Sequence, residues 1–366
     1  MTAGLYVHVP FCLTRCGYCD FNAYADLGHL AGRYVEALRA ETDRTAEGWH
    51  GTPFASIYLG GGTPTTLEPE TLGALLDHLD ARFDVLPGAE ITAEANPDTV
   101  DRYSLEALRS AGITRLSLGV QSFDPAVLDA LERVHPPGSA RRAYADAREA
   151  GFDSVNLDLI YGARGETAAS WRRTLGEAVA LGPDHLSCYA LTVEPSTPLG
   201  RKVALGLTPP PDPDLQADLY DLACEMLAGA GYRHYEVSNW ARPGHESVHN
   251  LGYWERRSYL GLGAGAHSYR DGRRWWNVRP PGRYIELALR GDPAEGGEEH
   301  LGPQEDRLEG LLLALRQAGG APLEDLPSEA ARDLETRGLA TVARGRLSLT
   351  DRGMLLANEV VLALAP

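Results

Sequence analysis

The sequence predicts an α/β fold built on a parallel β-sheet. Two observations carry this prediction: short apolar segments alternate with amphipathic ones six times, and polar residues follow several of the apolar segments. Because each crossover helix returns the chain to the same end of the sheet, consecutive strands run parallel. A chain of 366 residues can form one large barrel with an accessory domain, or two to three ordinary domains. Six units fit a partial (βα)6 barrel, and a doubly wound sheet has the same local pattern.

The six predicted units follow one another in order. The segments GLYVHV and SIYLGGGTP precede helical stretches at 30–45 and 69–82. EITAEANP is followed by a helical stretch at 102–111, and RLSLGVQS by stretches on either side of HPPG. SVNLDLIYG precedes a helical stretch at 168–181, and HLSCYALT closes the series. In a barrel of this type, ligand-facing groups are expected at the carboxyl ends of the strands.

The C-terminal part is predicted to be a separate unit. After GDPAEGGEEHLG, residues 307–317 have an amphipathic helical pattern, and the remainder predicts a helix, a short hairpin and a helix. That order is typical of a winged helix. The predicted organisation is a barrel core at 1–200, a barrel extension at 201–300 and a winged-helix-like α+β domain at 301–366. No basic recognition helix is present, which favours a capping or partner-docking role over DNA binding.

Charge and composition exclude several classes of protein. With 34 basic and 51 acidic residues the net charge is −17, and no Lys/Arg-rich run occurs, so nucleic acid is not an expected partner. No segment has the length and apolarity of a membrane-spanning helix, and no leader pattern is visible, so a cytoplasmic location is expected. Peripheral membrane contact and the oligomeric state stay open. Five cysteines in such a chain do not indicate a disulfide framework.

Three of the five cysteines lie within eight residues, in FCLTRCGYCDF. Cys12, Cys16 and Cys19 have the spacing C-x3-C-x2-C and follow the first apolar segment. Soft thiolates favour iron–sulfur clusters, and three of them suit a cluster with one iron left open for another ligand. The alternative is a zinc site completed by His8 or a distant residue, although no second ligand pair of zinc-binding spacing occurs. Cys188 and Cys224 are expected to be small buried residues.

This spacing, in the loop after a first strand, resembles the radical S-adenosylmethionine (SAM) superfamily. In that superfamily three cysteines hold a [4Fe–4S] cluster, and the amino and carboxylate groups of SAM chelate the fourth iron. Reductive cleavage of SAM there gives a 5′-deoxyadenosyl radical. The resemblance also implies the architecture, a three-quarter (βα)6 barrel, and so decides between the two folds that periodicity leaves open.

Polar residues at the ends of the predicted strands favour a ligand site. GGGTP (60–64) ends the second strand, and glycine there allows close backbone approach to a ligand or forms a tight turn. Glu94, Gln121 and Asp158 end the next three strands. Polar groups are costly to bury without partners, so these residues are expected to face a ligand. Taken singly, each is equally able to cap a helix or pair with a neighbour.

Together these residues resemble the SAM-contacting positions of the oxygen-independent coproporphyrinogen III oxidase branch. The resemblance implies that one SAM is surrounded by Tyr6, Gly61, Gly62, Thr63 and Glu94. It further implies that the neighbourhood, where the oxidase accommodates a second SAM, is lined by Tyr18, Gln121, Arg133 and Asp158.

The branch contains both the oxidase and heme chaperones, and two features resemble the chaperones. The oxidase carries a further cysteine two residues after the triplet, where this sequence has Phe21. The oxidase also has a long N-terminal extension, whereas Tyr6 stands almost at the start of this sequence. Coproporphyrinogen oxidase activity is therefore not expected.

A second motif supports the chaperone interpretation. VHNLGYW contains H-N-x-x-Y-W, associated with heme binding in those chaperones, so His249, Tyr253 and Trp254 are expected heme contacts. Imidazole binds iron, and Tyr or Trp can lie against a porphyrin face. Alternatively, His249 forms hydrogen bonds within the protein and Trp254 fills the core. His267 in GAGAHS is a second candidate, while three further tryptophans are equally compatible with packing: Trp240, Trp275 and Trp276.

The sequence therefore predicts a heme chaperone that carries a [4Fe–4S] cluster with SAM, binds heme and passes it to an acceptor protein. Two alternatives remain at this point. One is an oxygen-independent coproporphyrinogen III oxidase, and the other is a zinc-stabilised binding barrel that uses no SAM.

Overall fold

Six parallel strands form the centre of the structure, a computed structural model that describes residues 2–133, 136 and 138–365. Their order in the sheet is their order in the chain, each strand pairing with the next. The strands are β1 (Ala3–Val9), β2 (Pro53–Gly61), β3 (Asp84–Ala95), β4 (Arg115–Gln121), β5 (Ser154–Tyr161) and β6 (His185–Ala190). A doubly wound sheet reverses its strand order at a switch point, so that alternative is wrong and the barrel type of winding is confirmed.

Helices return the chain between these strands, as the periodicity predicts. They are α1 (Ala31–Thr45), α2 (Pro69–Asp80), α3 (Arg102–Ser110), α4 (Pro125–Ala130), α5 (Ser139–Glu149) and α6 (Ala168–Leu181), and α7 (Pro198–Ala204) follows β6. Short 3₁₀ turns occur at Gly28–Leu30, Ala46–Trp49 and Pro64–Thr66. Reciprocal side-chain hydrogen bonds cap α3 at Asp101 and α6 at Thr167, which satisfies backbone donors at both helix starts.

Further strands, most of them antiparallel, extend the sheet at both edges, which the sequence did not predict. The additional elements are α8 (Pro213–Gly229), β7 (Arg233–Glu236), β8 (Asn239–Ala241), α9 (Val248–Trp254), β9 (Tyr259–Leu262), β10 (His267–Arg270), β11 (Arg273–Asn277), α10 (Pro281–Arg290) and β12 (Glu295–His300). Beyond β6 lie β8 and β7. On the other side β9 pairs in parallel with β1, and β10, β11 and β12 follow antiparallel. The described strands of this sheet number twelve.

A buried carboxyl group joins this extension to the barrel. Glu41 of α1 accepts hydrogen bonds from the Gly263 backbone N–H (2.8 Å), from Asn277 Nδ2 (2.7 Å) and from the Tyr284 hydroxyl (2.6 Å). Burial raises the pKa of Glu41, while these donors act in the opposite direction. Because the donors come from the turn after β9, from β11 and from α10, one side chain ties these three parts of the extension to α1.

The C-terminal unit has the predicted order of helix, hairpin and helix. Its elements are α11 (Pro303–Leu315), β13 (Ala321–Pro322), a 3₁₀ turn at Leu323–Asp325, α12 (Ser328–Thr336), β14 (Ala340–Ala343), β15 (Arg346–Leu349), α13 (Asp351–Leu355) and α14 (Ala357–Leu364). Strands β14 and β15 form the antiparallel hairpin. The hydrophobic core of this unit is continuous with that of the barrel, so the boundaries after residues 200 and 300 stay predictions. Within the described residues, no helix is long and apolar enough to cross a membrane.

Candidate functional site

The three cysteines lie on a closed loop that follows β1. The Cys12 backbone N–H donates to the Tyr24 carbonyl (3.1 Å), and the Tyr24 N–H donates to the Pro10 carbonyl (2.8 Å), which fixes the two ends of the loop together. Asn22 anchors the loop to the sheet extension, since its Nδ2 donates to the carbonyls of Ala264 (3.0 Å) and Arg279 (2.8 Å). The backbone therefore holds the cysteines in a fixed arrangement.

All three thiols are free, and they line one cavity of about 490 Å³. The Thr63 hydroxyl lies 3.6 Å from Cys12 Sγ, and Arg133 Nη1 lies 3.4 Å from Cys16 Sγ. Burial raises the pKa of the Cys12 thiol and raises the pKa of Cys19 to about 11. Both shifts favour the protonated thiols at neutral pH.

Glycines 61 and 62 bring the end of β2 against this loop. The Gly62 N–H donates to the Val9 carbonyl (2.8 Å), and the Thr63 N–H donates to the Phe11 carbonyl (2.7 Å). A Cβ atom at position 62 would lie 2.5 Å from the Phe11 carbonyl oxygen. Gly61 has φ 109°, and a Cβ there would lie 2.4 Å from the His8 ring. The protein's own packing therefore requires both glycines, in addition to any ligand approach that the motif suggested.

The cysteine cavity has a polar wall formed by Thr63, Glu94, Gln121 and Asp158. Glu94 lies at the end of β3. Its Oε1 accepts from the Tyr58 hydroxyl (2.8 Å) and its Oε2 from the Gly61 N–H (3.1 Å). Burial raises the pKa of Glu94 to about 7, and the nearby Asp158 acts in the same direction. Each carboxylate oxygen keeps a lone pair that can accept a further hydrogen bond from a ligand.

Asp158 on β5 is held in a similar way. Its Oδ2 accepts from the Ser117 hydroxyl (2.8 Å) and its Oδ1 from Asn156 Nδ2 (2.9 Å). Burial raises the pKa of Asp158. Two buried carboxyl groups therefore face the same cavity, oriented by different donors.

The end of β4 has an unusual backbone. Gln121 has φ 66°, in the left-handed region that residues other than glycine rarely adopt, and the register with β5 shifts between Gly119 and Gln121. The Arg133 guanidinium lies beside it, donating to the Gly119 carbonyl (2.9 Å) and to Asn96 Oδ1. Strained residues of this kind cluster at ligand sites, and here the strain directs the Gln121 side chain into the cavity.

The structure thus gathers most of the predicted SAM positions around the thiols. This cavity is lined by Tyr18, Gly61, Gly62, Thr63, Glu94, Gln121, Arg133 and Asp158. Tyr6 instead lines an adjoining cavity, and its hydroxyl lies 2.9 Å from His8 Nδ1. Sequence reasoning missed Tyr58 and Asn96, which lie within the motif segments SIYLGGGTP and EITAEANP and orient Glu94 and Arg133. Their places in these two segments, close to residues already chosen as site candidates, could have indicated them.

The adjoining cavity has a volume of about 620 Å³ and an aromatic lining. It shares Asp20, Phe21, Gly61 and Glu94 with the cysteine cavity. Tyr253, Tyr259, His267 and Trp276 belong to its other walls, and the same four residues line a third cavity of about 560 Å³. We call the combined second and third cavities the aromatic groove.

The H-N-x-x-Y-W segment forms α9, beneath this groove. His249 is 3% exposed; its Nδ1 is 2.9 Å from the Ser56 hydroxyl and its Nε2 is 2.9 Å from the Tyr253 hydroxyl. Burial lowers the pKa of His249 to about 3, so the ring is neutral. Tyr253 lines the groove, whereas Trp254 does not, and its carbonyl accepts from Gln317.

The remaining candidates separate into core and groove residues. Trp240 is fully buried and stacks on His234 at 4.3 Å between ring centroids, whereas Trp276 lines the groove. Cys188 is buried, as expected. Cys224 is also buried, but its thiol lies within 4.8 Å of ligand atoms of His234 and Asp351, a proximity that sequence separation concealed.

Comparison with known proteins identifies the family of this chain. Residues 6–178 match the model of the radical SAM superfamily. The chain is 45% identical over 364 residues to the heme chaperone HemW of Mycobacterium tuberculosis strain H37Rv, covering 98% of this chain and 93% of that protein. It is 35% identical over 368 residues to HemW of Bacillus subtilis, covering 97% of each.

A solved structure supports the same assignment. Coproporphyrinogen III oxidase (HemN) from Escherichia coli, a radical SAM enzyme, superposes with a TM-score of 0.84 at 26% identity, covering 100% of this chain and 90% of the enzyme. The oxidase therefore shares the architecture, while the chaperones share more of the sequence over nearly the whole length. The chain belongs to the HemW heme chaperone family within the radical SAM superfamily.

Proposed function

We propose that this chain binds heme and passes it to an acceptor protein, and that it carries a [4Fe–4S] cluster with SAM. One observation supports this combination above the others. The cavity that contains the three thiols lies next to the aromatic groove, because Asp20, Phe21, Gly61 and Glu94 line both. A site for a soft metal cluster and a larger apolar site are thus neighbours.

Cys12, Cys16 and Cys19 are the proposed cluster ligands. Sulfur ligands of a single zinc ion lie at about 2.3 Å from it and hence close together. Among the described residues, the three sulfur atoms do not gather within 4.8 Å of one another. Ligands of a cluster bind separate irons and lie further apart, so the arrangement supports a cluster over a zinc-stabilised barrel. With SAM on the fourth iron, such a cluster supplies one-electron reductive chemistry.

The SAM site is proposed at the polar wall beside the thiols. Glu94 and Asp158 offer carboxylate oxygens to amino or hydroxyl groups, and Thr63 and Gln121 offer further polar contacts. Gly61 and Gly62 keep the end of β2 close to the cysteine loop. The wider proposed set adds Tyr6, Tyr18 and Arg133.

Phe21 supports chaperone function over coproporphyrinogen oxidation. Its side chain is 61% exposed and borders both cavities, at the position where the oxidase resemblance requires a further thiol. An apolar ring there suits contact with a porphyrin and offers no sulfur chemistry. The H-N-x-x-Y-W segment is the proposed heme contact from the sequence, and Tyr253 is the member of it that lines the groove.

The test is anaerobic reconstitution of the purified protein with iron and sulfide, followed by titration with heme and with SAM. We expect about four irons and four sulfides per chain, one bound heme and no conversion of coproporphyrinogen III in the presence of reductant and SAM. Loss of the bound heme to apomyoglobin would show that it is exchangeable. Stoichiometric zinc without iron and sulfide would overturn the cluster, and robust decarboxylation would overturn the chaperone assignment.

A further inference from the structure

The aromatic groove contains a histidine whose surroundings differ from those of the motif histidine. His267 starts β10, is exposed, and pairs in register with Trp276 of β11. Its ring stacks on Trp276 with 5.5 Å between centroids and 30° between planes. Within the described residues, neither ring nitrogen of His267 has a hydrogen-bond partner, so both nitrogens are available to a ligand.

His249 offers no such nitrogen. Its Nδ1 and Nε2 each lie 2.9 Å from a hydroxyl group, of Ser56 and Tyr253 respectively. It is 3% exposed and packs beneath Gly4, where even an added Cβ atom would lie 3.2 Å from the ring. Iron coordination by His249 would therefore require breaking a hydrogen bond and moving buried backbone.

The groove has the size and walls of a ligand site. Volumes of about 620 Å³ and about 560 Å³ for its two parts lie within the usual range of ~300–1,000 Å³ for small-molecule sites. Tyr253 and Tyr259 meet edge to face at 4.7 Å between centroids and supply apolar ring surface. Trp276 supports the imidazole of His267 from the side.

The cations around the groove are not equivalent. Arg274 is bound by Glu299 (2.7 Å) and Glu309 (2.8 Å), and Arg256 pairs with Asp306. Arg279 also lines the groove, is exposed, and forms no ion pair with any residue in the described part of the chain. An unpaired guanidinium beside an apolar groove suits a carboxylate on an apolar ligand, such as a heme propionate.

We propose that heme lies in the aromatic groove with His267 as an axial iron ligand, Tyr253 and Tyr259 against the porphyrin, and Arg279 facing a propionate. The proposal rests on the proposed heme-binding function and names its site. An imidazole nitrogen donates its lone pair to the iron, and no bond of the protein breaks. Since the groove shares Glu94 and Gly61 with the cysteine cavity, bound heme would lie next to the cluster site.

In this arrangement His249 is a positioning residue. Its 2.9 Å contact with the Tyr253 hydroxyl fixes that ring in the groove wall, and its contact with Ser56 ties α9 to β2. The H-N-x-x-Y-W motif then affects heme binding through Tyr253 while His249 stays inside the protein. This differs from the sequence-based expectation that His249 itself contacts the heme.

The experiment compares heme titrations of the full-length wild-type chain with those of His267→Ala, His267→Gln and His249→Gln. We expect both His267 variants to shift the Soret band and to weaken binding about tenfold or more, and added imidazole to restore the wild-type spectrum of His267→Ala. His249→Gln should weaken binding with the Soret position unchanged, as should Tyr253→Phe. His29→Ala, which removes another exposed histidine, serves as the matched control and should change nothing.

The outcomes separate the site from the function. Unchanged Soret position and affinity in both His267 variants, together with a shifted band in His249→Gln, would overturn the placement and assign the iron to the motif histidine. A wild-type chain that binds no heme would overturn the proposed function itself. A spectral change in His29→Ala equal to that in His267→Ala would show adventitious surface binding and also overturn the placement.

Discussion

The cysteine cavity and the aromatic groove share residues, yet the chain builds them in different ways. The cavity collects side chains from the ends of successive parallel strands, β1 to β5, where barrel winding brings them together. The groove is lined from α9, β9, β10 and β11, and it depends on an antiparallel register that places His267 opposite Trp276. A parallel barrel gathers distant strand ends automatically, whereas an antiparallel extension must specify each pairing separately.

The largest effect is expected from removal of the cluster ligands, which tests whether the cysteine cavity and the aromatic groove bind their ligands independently. Replacing Cys12, Cys16 or Cys19 by Ala should abolish the reconstituted cluster, because in the proposed site each sulfur binds a different iron. Iron and sulfide content after anaerobic reconstitution measures the loss.

Cys188→Ala and Cys224→Ala are the controls and should retain the cluster, since both thiols are buried and neither lines the cysteine cavity. Heme affinity should persist in the cluster-free variants. Loss of heme binding in all three would show that groove and cavity form one indivisible site, which would break the comparison.

His249 beneath the groove should make the fold sensitive to acid. Its pKa is about 3 in the folded chain, below its usual value, so the unfolded chain binds more protons below pH ~6.5. Stability from this group is therefore full near neutral pH and is lost as the pH falls, by up to ~1.4 kcal/mol per pH unit.

His249→Gln removes the titrating group while keeping a polar side chain of similar reach. Urea unfolding of both proteins at pH 7, 6 and 5 should give a shallower pH dependence for the variant. His8 and His185, whose pKa values burial also lowers, contribute equally to both proteins. If the stability of both proteins changes with pH in the same way, burial does not lower the pKa of His249.

Gly62→Ala tests the backbone contact between β2 and the cysteine loop. The new Cβ would lie 2.5 Å from the Phe11 carbonyl oxygen, so we expect a loss of about 1–3 kcal/mol and reduced cluster loading. Thermal unfolding and iron content measure the two effects. Gly32→Ala, within α1 and with nothing near its Cβ, is the matched control and should be neutral or slightly stabilising. If Gly62→Ala loads the cluster normally, the backbone contact does not explain the glycine, and close approach of a ligand remains as the reason for it.

Glu94 should give SAM binding a pH dependence. With a pKa of about 7, Glu94 is protonated at lower pH and must lose that proton to accept hydrogen bonds from SAM. SAM affinity should then fall by up to about tenfold per pH unit below pH ~6. The perturbation of the reduced cluster's EPR spectrum by SAM measures it.

Glu94→Gln is the control and should bind SAM more weakly at pH 8 with a flatter pH profile. Asp158 faces the same cavity and also has a raised pKa, so it can make SAM affinity depend on pH as well. If Glu94→Gln keeps some pH dependence, the double variant Glu94→Gln/Asp158→Asn shows whether Asp158 causes it. Identical profiles in wild type and Glu94→Gln would exclude Glu94 from the SAM site.

Local patterns predicted the parallel strand–helix order, while the choice of a barrel and the grouping of the site residues rested on the family resemblance. Apolar periodicity located six strand–helix units, and short motifs carried the thiols and most of the polar wall. The return of β9 to pair with β1 could not be predicted, because pairing between segments about 250 residues apart leaves no local signal. For the same reason the sequence did not predict that His249 is buried and His267 exposed. Both lie in segments rich in glycine and aromatic residues, which show no clear helix or strand pattern.

The anchoring of the cysteine loop by Asn22 has a consequence during synthesis on the ribosome. One of its acceptors, the Arg279 carbonyl, comes 257 positions later in the chain, and β1 also lacks its β9 neighbour until that region emerges. During translation the loop can therefore close on itself and contact β2 early, whereas its anchor to the sheet extension forms only after residue 279 has been synthesised.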